Sequence, residues 1–186
     1  MKRWLALFAL MVFISGCSGS DTELNRALGL RTRITQNNGC LFDVVITADY
    51  GDEVHTFNME CESSKDGEIR FSVTDPKSIS GICGTVSGSG GKLVFEDTAL
   101  AFDVLADGQI SPVSAPWHLM KALRSGYISA CGKDGENLRL SVDDSYREDA
   151  LRLDIWLDEN DFPLRGEILW QGRRILTMDV RNFRIV

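Results

Sequence analysis

Five cysteines and two histidines carry most of the chemistry that this 186-residue sequence offers. Cys17 stands apart from the others. Lys2 and Arg3 precede an apolar run, Trp4 to Ile14, which is too short to span a bilayer, and Ile14-Ser15-Gly16-Cys17 closes it. Two small residues ahead of a cysteine suit a signal-peptidase cleft, and the thiol can take a diacylglycerol as a thioether. Residues 1–16 therefore read as a bacterial lipoprotein signal, with Cys17 as the first residue of the mature chain and its membrane anchor. Several acyl chains on one cysteine suffice for stable anchoring. The plainer alternative is a secretory signal followed by a coincidental cysteine.

Cys40, Cys61, Cys83 and Cys131 remain, in an exported chain where disulfides are permitted. Of the three possible connectivities, the hairpin described below favours Cys40 with Cys61 and leaves Cys83 for Cys131. The alternative is free, buried thiols acting as small apolar groups. The cysteine spacings fit no compact zinc finger. His55 falls in a strand and His118 near a helix start, without H-E-x-x-H or G-x-S-x-G around either, so both read as structural. Ser87-Gly88-Ser89-Gly90-Gly91-Lys92 lacks the full phosphate-loop pattern and precedes a strand, which makes it a hairpin turn. The acidic stretches Asp143-Asp144 and Asp158-Glu159-Asn160-Asp161 lack the calcium-loop spacing and read as solvated turns. No metal, no cofactor and no enzymatic activity are expected.

Composition bounds the partners. The formal net charge is −7, and loss of Lys2 and Arg3 with the signal brings the mature chain to −9. This disfavours nucleic acid and electrostatic docking on anionic headgroups. Contact with the membrane is expected through the Cys17 anchor alone. Hydrophobic residues at 44% are ample for one core or an apolar cavity.

The elements follow from periodicity. Residues 17–21 read as a tether and 22–186 as one domain. Thr22 to Gln36 is a helix stopped by Asn37-Asn38-Gly39. Cys40 to Ala48 and Glu53 to Cys61 form a hairpin about Asp49-Tyr50-Gly51-Asp52. Its expected register sets Phe42 opposite Met59, Val44 opposite Phe57, Ile46 opposite His55, and Cys40 opposite Cys61. Glu68 to Thr74 is a strand with Ile69, Phe71 and Val73 inward. Ile79 to Val86 and Lys92 to Glu96 form a second hairpin. Thr98 to Leu105 is ambiguous between strand and helix. Trp117 to Arg124 is a second helix, with Pro116 in its first turn and Leu119, Met120 and Leu123 apolar. Tyr127 to Cys131 and Asn137 to Asp143 are strands. From Leu151 to Val186, period-two alternation broken by short turns predicts a three-stranded antiparallel meander. Trp156 and Leu169 fall on its polar face, so something covers part of that face.

The closing run LDIWLDENDFPLRGEILWQGRRILTMDVRNFRI resembles the last strands of the LolA/LolB-like lipoprotein-carrier superfamily. The resemblance covers roughly the last fifth of the chain. It implies an α+β fold: a strongly curved antiparallel sheet, an incomplete barrel, with helices covering its concave face. It also implies binding of acyl chains or lipid-modified proteins there. A sheet that does not close on a second sheet must cover its apolar face, and a ligand can share that space. Phe42, Val44, Phe57, Met59, Phe71, Trp117 and Met120 are the candidate cavity residues, with a plain core as the alternative. Phe95 and Phe102 also recur on apolar faces. The expectation is a lipid-anchored extracytoplasmic protein that binds a lipid or lipidated protein without catalysis. The alternative is an envelope sensor or protein-interaction module of the same fold.

Overall fold

The structure is a computed structural model that describes residues 19–88, 90–94, 108, 110–145, 147 and 150–186, with backbone alone for 19–21 and 90–94. The signal, Cys17, the Thr98–Leu105 segment, Phe95 and Phe102 lie outside the described residues.

Ten antiparallel strands form one sheet among the described residues. They are β1 (Gly39–Asp49), β2 (Val54–Ser64), β3 (Ile69–Asp75), β4 (Cys83–Ser87), β5 (Gly90–Val94), β6 (Tyr127–Asp134), β7 (Asn137–Asp143), β8 (Leu151–Leu157), β9 (Pro163–Trp170) and β10 (Arg173–Ile185). Their spatial order is β5-β4-β3-β2-β1-β10-β9-β8-β7-β6. The sheet stays open, with β5 and β6 at its two ends, and the first and last strands meet at its centre. There the amides of Asn38 and Gly39 donate to the Val186 carbonyl at 2.9 and 3.0 Å. Register shifts at Leu41/Asp43, Asn58/Met59, Ile128/Ala130, Trp156/Leu157 and Arg174/Leu176 bend the strands.

One sheet face is continuously apolar. Phe42, Val44, Ile46, Phe57, Met59, Ile69, Phe71 and Val73 join Leu138, Leu140, Leu153, Ile155, Ile168 and Met178 in a single core. Two helices pack into it. Helix α1 (Gly19–Gln36) buries Ala27, Leu30 and Ile34, the three- and four-residue spacing of one helical stripe. It begins three residues earlier than the sequence implies, so Gly19 and Ser20 belong to the helix and not to a tether. Helix α2 (Ala115–Ser125) follows a 3-10 turn at Pro112–Ser114 and buries Leu119, Met120 and Leu123 as expected. Gly126 ends it by donating its N–H to the Ala122 carbonyl at 3.0 Å.

Arginines fix the helices. Arg31 of α1 donates to the carbonyls of Leu123, Ala122 and Gly126 at 3.0, 3.2 and 2.7 Å, placing a cation on the last carbonyls of α2. Arg124 of α2 reaches the Ser64 and Lys65 carbonyls, both at 2.6 Å. At the far side Gly166 of β9 lets Leu119 approach: a Cβ there would lie 3.5 Å from Leu119 Cδ1 and 2.9 Å from Met178 Cε.

The first hairpin is offset from the expected register. Phe42 faces Cys61, Val44 faces Met59, Ile46 faces Phe57, Ala48 faces His55 and Cys40 faces Ser63. The turn sits one residue later than expected. Gly51 takes φ +99°, open to glycine, and Asp49 Oδ1 accepts its N–H at 2.8 Å, while Tyr50 N–H donates to the Glu53 carbonyl at 2.9 Å. Moving a turn by one residue moves the pairing by two, so every side chain keeps its face while its partner changes.

That offset removes the basis for the Cys40–Cys61 bond. The two become diagonal neighbours, about 7–8 Å apart between Cα atoms, beyond the span of roughly 4.4–6.8 Å usual for a disulfide. All four described cysteines are free thiols. Cys83 pairs across strands with Ser72 on the outer face, whereas Cys131 pairs with buried Leu140 on the inner face at the other end of the sheet. The expected Cys83–Cys131 bond would have to join opposite faces.

Candidate ligand cleft

The expected cavity residues share one core. Phe42, Val44, Phe57, Met59, Phe71 and Met120 are all buried in the common core, and Phe42 stacks on Phe183 at 5.6 Å between ring centroids. Trp117 is half-buried beside them. None of the seven lines the cleft that does open along the helical layer.

That cleft, of about 200 Å³, lies between α2 and strands β7 and β8. Ala122, Val142 and Leu153 supply apolar walls. His118 and Lys121 stand on the helix side, and Ser125, Tyr127, Asp143 and Asp144 complete the lining. Gly126 sets the helix close to β7, because a Cβ at that position would run into Val142 Cγ1 and the backbone of Ala122. Pro116 at the helix start and Gly126 at its end thus place about three turns of helix beside a strand wall.

The polar groups of the cleft differ in their commitments. Lys121 Nζ binds Asp144 Oδ1 at 2.5 Å and sits 5.2 Å from the centre of the Trp117 ring. His118 is 9% exposed and meets Trp117 edge-on, with 4.9 Å between ring centroids. Its Nδ1 is buried without a hydrogen-bond partner among the described residues. Burial pushes the imidazole down from 6.5 to about 4; the nearby Asp144 works against that shift and Lys121 with it. At neutral pH the ring is uncharged.

The outer face of β7–β10 holds a second polar cluster. Asp154 is 2% exposed. Its carboxylate accepts from Arg139 Nη2 and Ser141 Oγ, both at 2.6 Å, and from Arg152 Nε at 3.3 Å. Burial pushes this carboxyl up, but the hydrogen bonds from Ser141 and Arg139 and the arginine charges outweigh it and hold it below the usual carboxylate range. Glu167, its cross-strand neighbour, accepts from Arg165 and Arg174 at 2.7 and 3.0 Å. Trp156 lies between the guanidinium groups of Arg139 and Arg165, 5.2 and 5.9 Å from its ring centre, and its Nε1 donates to Asp134 at 2.8 Å. Arginine side chains are therefore what covers the apolar residue on that face. Open grooves of about 490 and 430 Å³ flank this cluster.

Sequence reasoning missed Tyr127, Val142, Asp143 and Leu153 as cleft residues. It treated His118 as structural, and Asp143-Asp144 as a solvated turn, although Asp144 holds Lys121. The available signal was Gly126: a glycine that ends a helix immediately before a strand brings the two into close contact.

No protein-family model matches the chain, and no curated protein matches it. Solved structures do match in overall arrangement. A LolA superfamily protein from Nitrosomonas europaea is 10% identical over 86% of this chain and 93% of its own, with a TM-score of 0.44. A putative outer membrane lipoprotein-sorting protein domain from Vibrio parahaemolyticus is 9% identical over 90% and 93%, with a TM-score of 0.39. A chain of the Pseudomonas aeruginosa MucA/MucB complex is 14% identical over 89% of this chain and 56% of its own, with a TM-score of 0.40. At such similarity the function is to be read from this chain's own residues.

Proposed function

We propose that the protein is a lipid-anchored, extracytoplasmic binding protein that holds an apolar group of a lipid or lipidated protein in the cleft beside α2, without catalysis. The observation that carries this reading is the cleft itself: walls of Ala122, Val142 and Leu153 reached from the surface past polar groups. A volume of about 200 Å³ accommodates a ring or part of one acyl chain and is too small for a whole diacyl lipid. The cleft opens at the end of α2, where Gly126 hands the chain to β6. The anchor rests on the order of basic residues, apolar run and Ile14-Ser15-Gly16-Cys17. Among the described residues no helix is long and apolar enough to cross a membrane.

The test is binding of the uncharged fluorophore N-phenyl-1-naphthylamine, expected with a micromolar dissociation constant, about −8 kcal/mol. Ser125→Trp, at an exposed cleft position, should plug the opening and abolish binding while the circular dichroism spectrum is kept. Binding unaffected by the plug would place the ligand elsewhere. For the anchor, intact mass of the membrane-extracted protein should show acyl chains on Cys17, and Cys17→Ala should remove both them and membrane association.

A second reading, a protein-interaction module, is favoured by the two outer grooves, each larger than the cleft. Cross-linking from Trp156 in intact cells, with no effect of the Ser125→Trp plug, would support it.

A further inference from the structure

We infer that the outward stripe of α1 is a membrane-contact surface, which lies on the headgroup–acyl boundary of a bilayer that carries anionic lipid. The inference rests on the Cys17 anchor proposed above and goes beyond it, from a tethered chain to a docked face. Helix α1 buries Ala27, Leu30 and Ile34 and leaves Leu24 and Leu28 on its solvent side, 37% and 40% exposed. Leu24, Leu28, Arg31 and Thr35 follow one another at steps of four, three and four residues, so they form one stripe along the helix.

The polar groups of that stripe already have partners. Arg31 is committed to the carbonyls of Ala122, Leu123 and Gly126. Thr35, and Thr32 beside it, donate their hydroxyls to the Arg31 and Leu28 carbonyls, each at 2.9 Å. Groups satisfied within the protein lower the cost of taking the face out of water. The stripe also ends beside the cleft, because Ala122 and Gly126, whose carbonyls Arg31 holds, are cleft-lining residues.

Two features select a bilayer as the occupant. The first is reach. Only Ser18 separates Cys17 from the first residue of α1, and Leu24 and Leu28 stand about 8 and 14 Å along the helix from Gly19. An acyl group on Cys17 therefore holds this helix at the membrane. The second is charge. From Thr22 to Gln36 three arginines stand against one acid, Glu23, which makes the segment +2 in a mature chain of −9. Anionic headgroups attract this segment and repel the remainder, and that contrast orients the body. Two partly exposed leucines are too little to hold a protein on a membrane by themselves. The anchor makes their contact intramolecular, where a weak contact suffices.

The test places a nitrobenzoxadiazole label on the mature chain, reconstituted into vesicles of phosphatidylethanolamine and phosphatidylglycerol with doxyl-labelled lipid. One chain carries Leu28→Cys with Cys83→Ser and Cys131→Ser, so that the label sits on the stripe. The other carries Cys131→Ser alone and is labelled at the exposed Cys83, on the outer face of the sheet. Doxyl lipid is expected to quench the label at 28 about threefold more strongly than the label at 83, with iodide doing the reverse. Leu24→Glu, at an exposed position, should reduce the quenching at 28 by about half. Equal quenching of the two labels by doxyl lipid, or quenching at 28 unchanged by Leu24→Glu, overturns the inference and leaves the anchor standing. A label at 28 shielded from iodide and from doxyl lipid alike gives the face to a protein partner or a second copy, and also overturns it. A chain without acyl mass on Cys17 that fails to float with the vesicles overturns both the inference and the anchor.

Discussion

The two faces of β7–β9 bury residues by different means. On the inner face Leu140, Val142, Leu153, Ile155 and Ile168 lose water to helices and neighbouring strands. On the outer face Asp154 is as buried as they are, and its carboxylate is held by Arg139, Ser141 and Arg152. Four arginines whose side chains are 42–56% exposed lie over this face, with their aliphatic stems inward and guanidinium groups bound to Asp154 and Glu167. One face is held mainly by buried apolar area, with His118 of the helical layer as a titrating group beside it. The other is held by charge-assisted hydrogen bonds, which titrate and are screened. The cleft beside α2 lies on the first kind of face, and the open grooves lie on the second.

The inner face should respond most to truncation. Leu119→Ala, at a fully buried position above Gly166, is expected to cost ~2–5 kcal/mol in chemical denaturation. A loss below about 1 kcal/mol would mean that α2 is loosely seated and that the inner face is not area-held. Next comes pH. His118 titrates at 6.5 when unfolded and at about 4 when folded, so the unfolded chain binds a proton that the folded chain refuses. Stability is then at its full value above about pH 6.5, falls as pH drops toward 4, and levels below, for a total of roughly 3 kcal/mol. His118→Leu should flatten that interval, and an unchanged slope would remove His118 as its source.

The outer face should respond in its own window. Asp154→Ala is expected to cost ~1–3 kcal/mol, moderated because its arginine partners remain solvated. The folded Asp154 carboxyl lies below its unfolded value, so its contribution is complete above about pH 4 and is lost as pH falls through the folded value. High salt should weaken the wild type toward the variant, and equal salt sensitivity of the two would deny the charge-held description. The smallest effect is chemical and not energetic. Burial raises the Cys40 thiol to about 11 and raises Cys61 further. Alkylation should therefore reach the exposed Cys83 first, the half-buried Cys131 more slowly, and Cys40 and Cys61 only on unfolding. Protection of Cys83 together with Cys131 by a common bond would contradict the opposite-face placement.

How much of this was legible depended on whether a residue's role is set by its neighbours in sequence. The β8–β10 meander, the α2 stripe of Leu119, Met120 and Leu123, and the inward set of Ile69, Phe71 and Val73 were all readable, because alternation and helical spacing fix a face locally. The hairpin pairing was not, since any turn shifted by one residue preserves those faces and only Gly51 and Asp49 distinguish the centre. Alternation with Leu153 and Ile155 sets Asp154 on the polar face, but its burial depends on Arg139, Ser141 and Arg152 arriving from other positions in the register. The cleft was invisible for the same reason. His118, Val142 and Leu153 come from a helix and two strands, and the space between them is a property of the packing of α2 against β7. Aromatic richness pointed instead to Phe42, Phe57 and Phe71, which are buried in the common core.

The early start of α1 has a mechanical meaning. Arg26 grips Asp161 at 2.6 Å and Arg33 donates to the Asn160 carbonyl at 3.1 Å, so the helix is riveted to the β8–β9 turn, while Arg31 ties it to α2. Helix α1 begins at Gly19, and two Cα steps of chain from Cys17 reach at most about 7.6 Å. A lipid on Cys17 would therefore be a short handle and not a leash. The body would ride on the bilayer with little freedom to swing or to search at a distance, and whatever fills its cleft would have to arrive from that same membrane or be delivered to it.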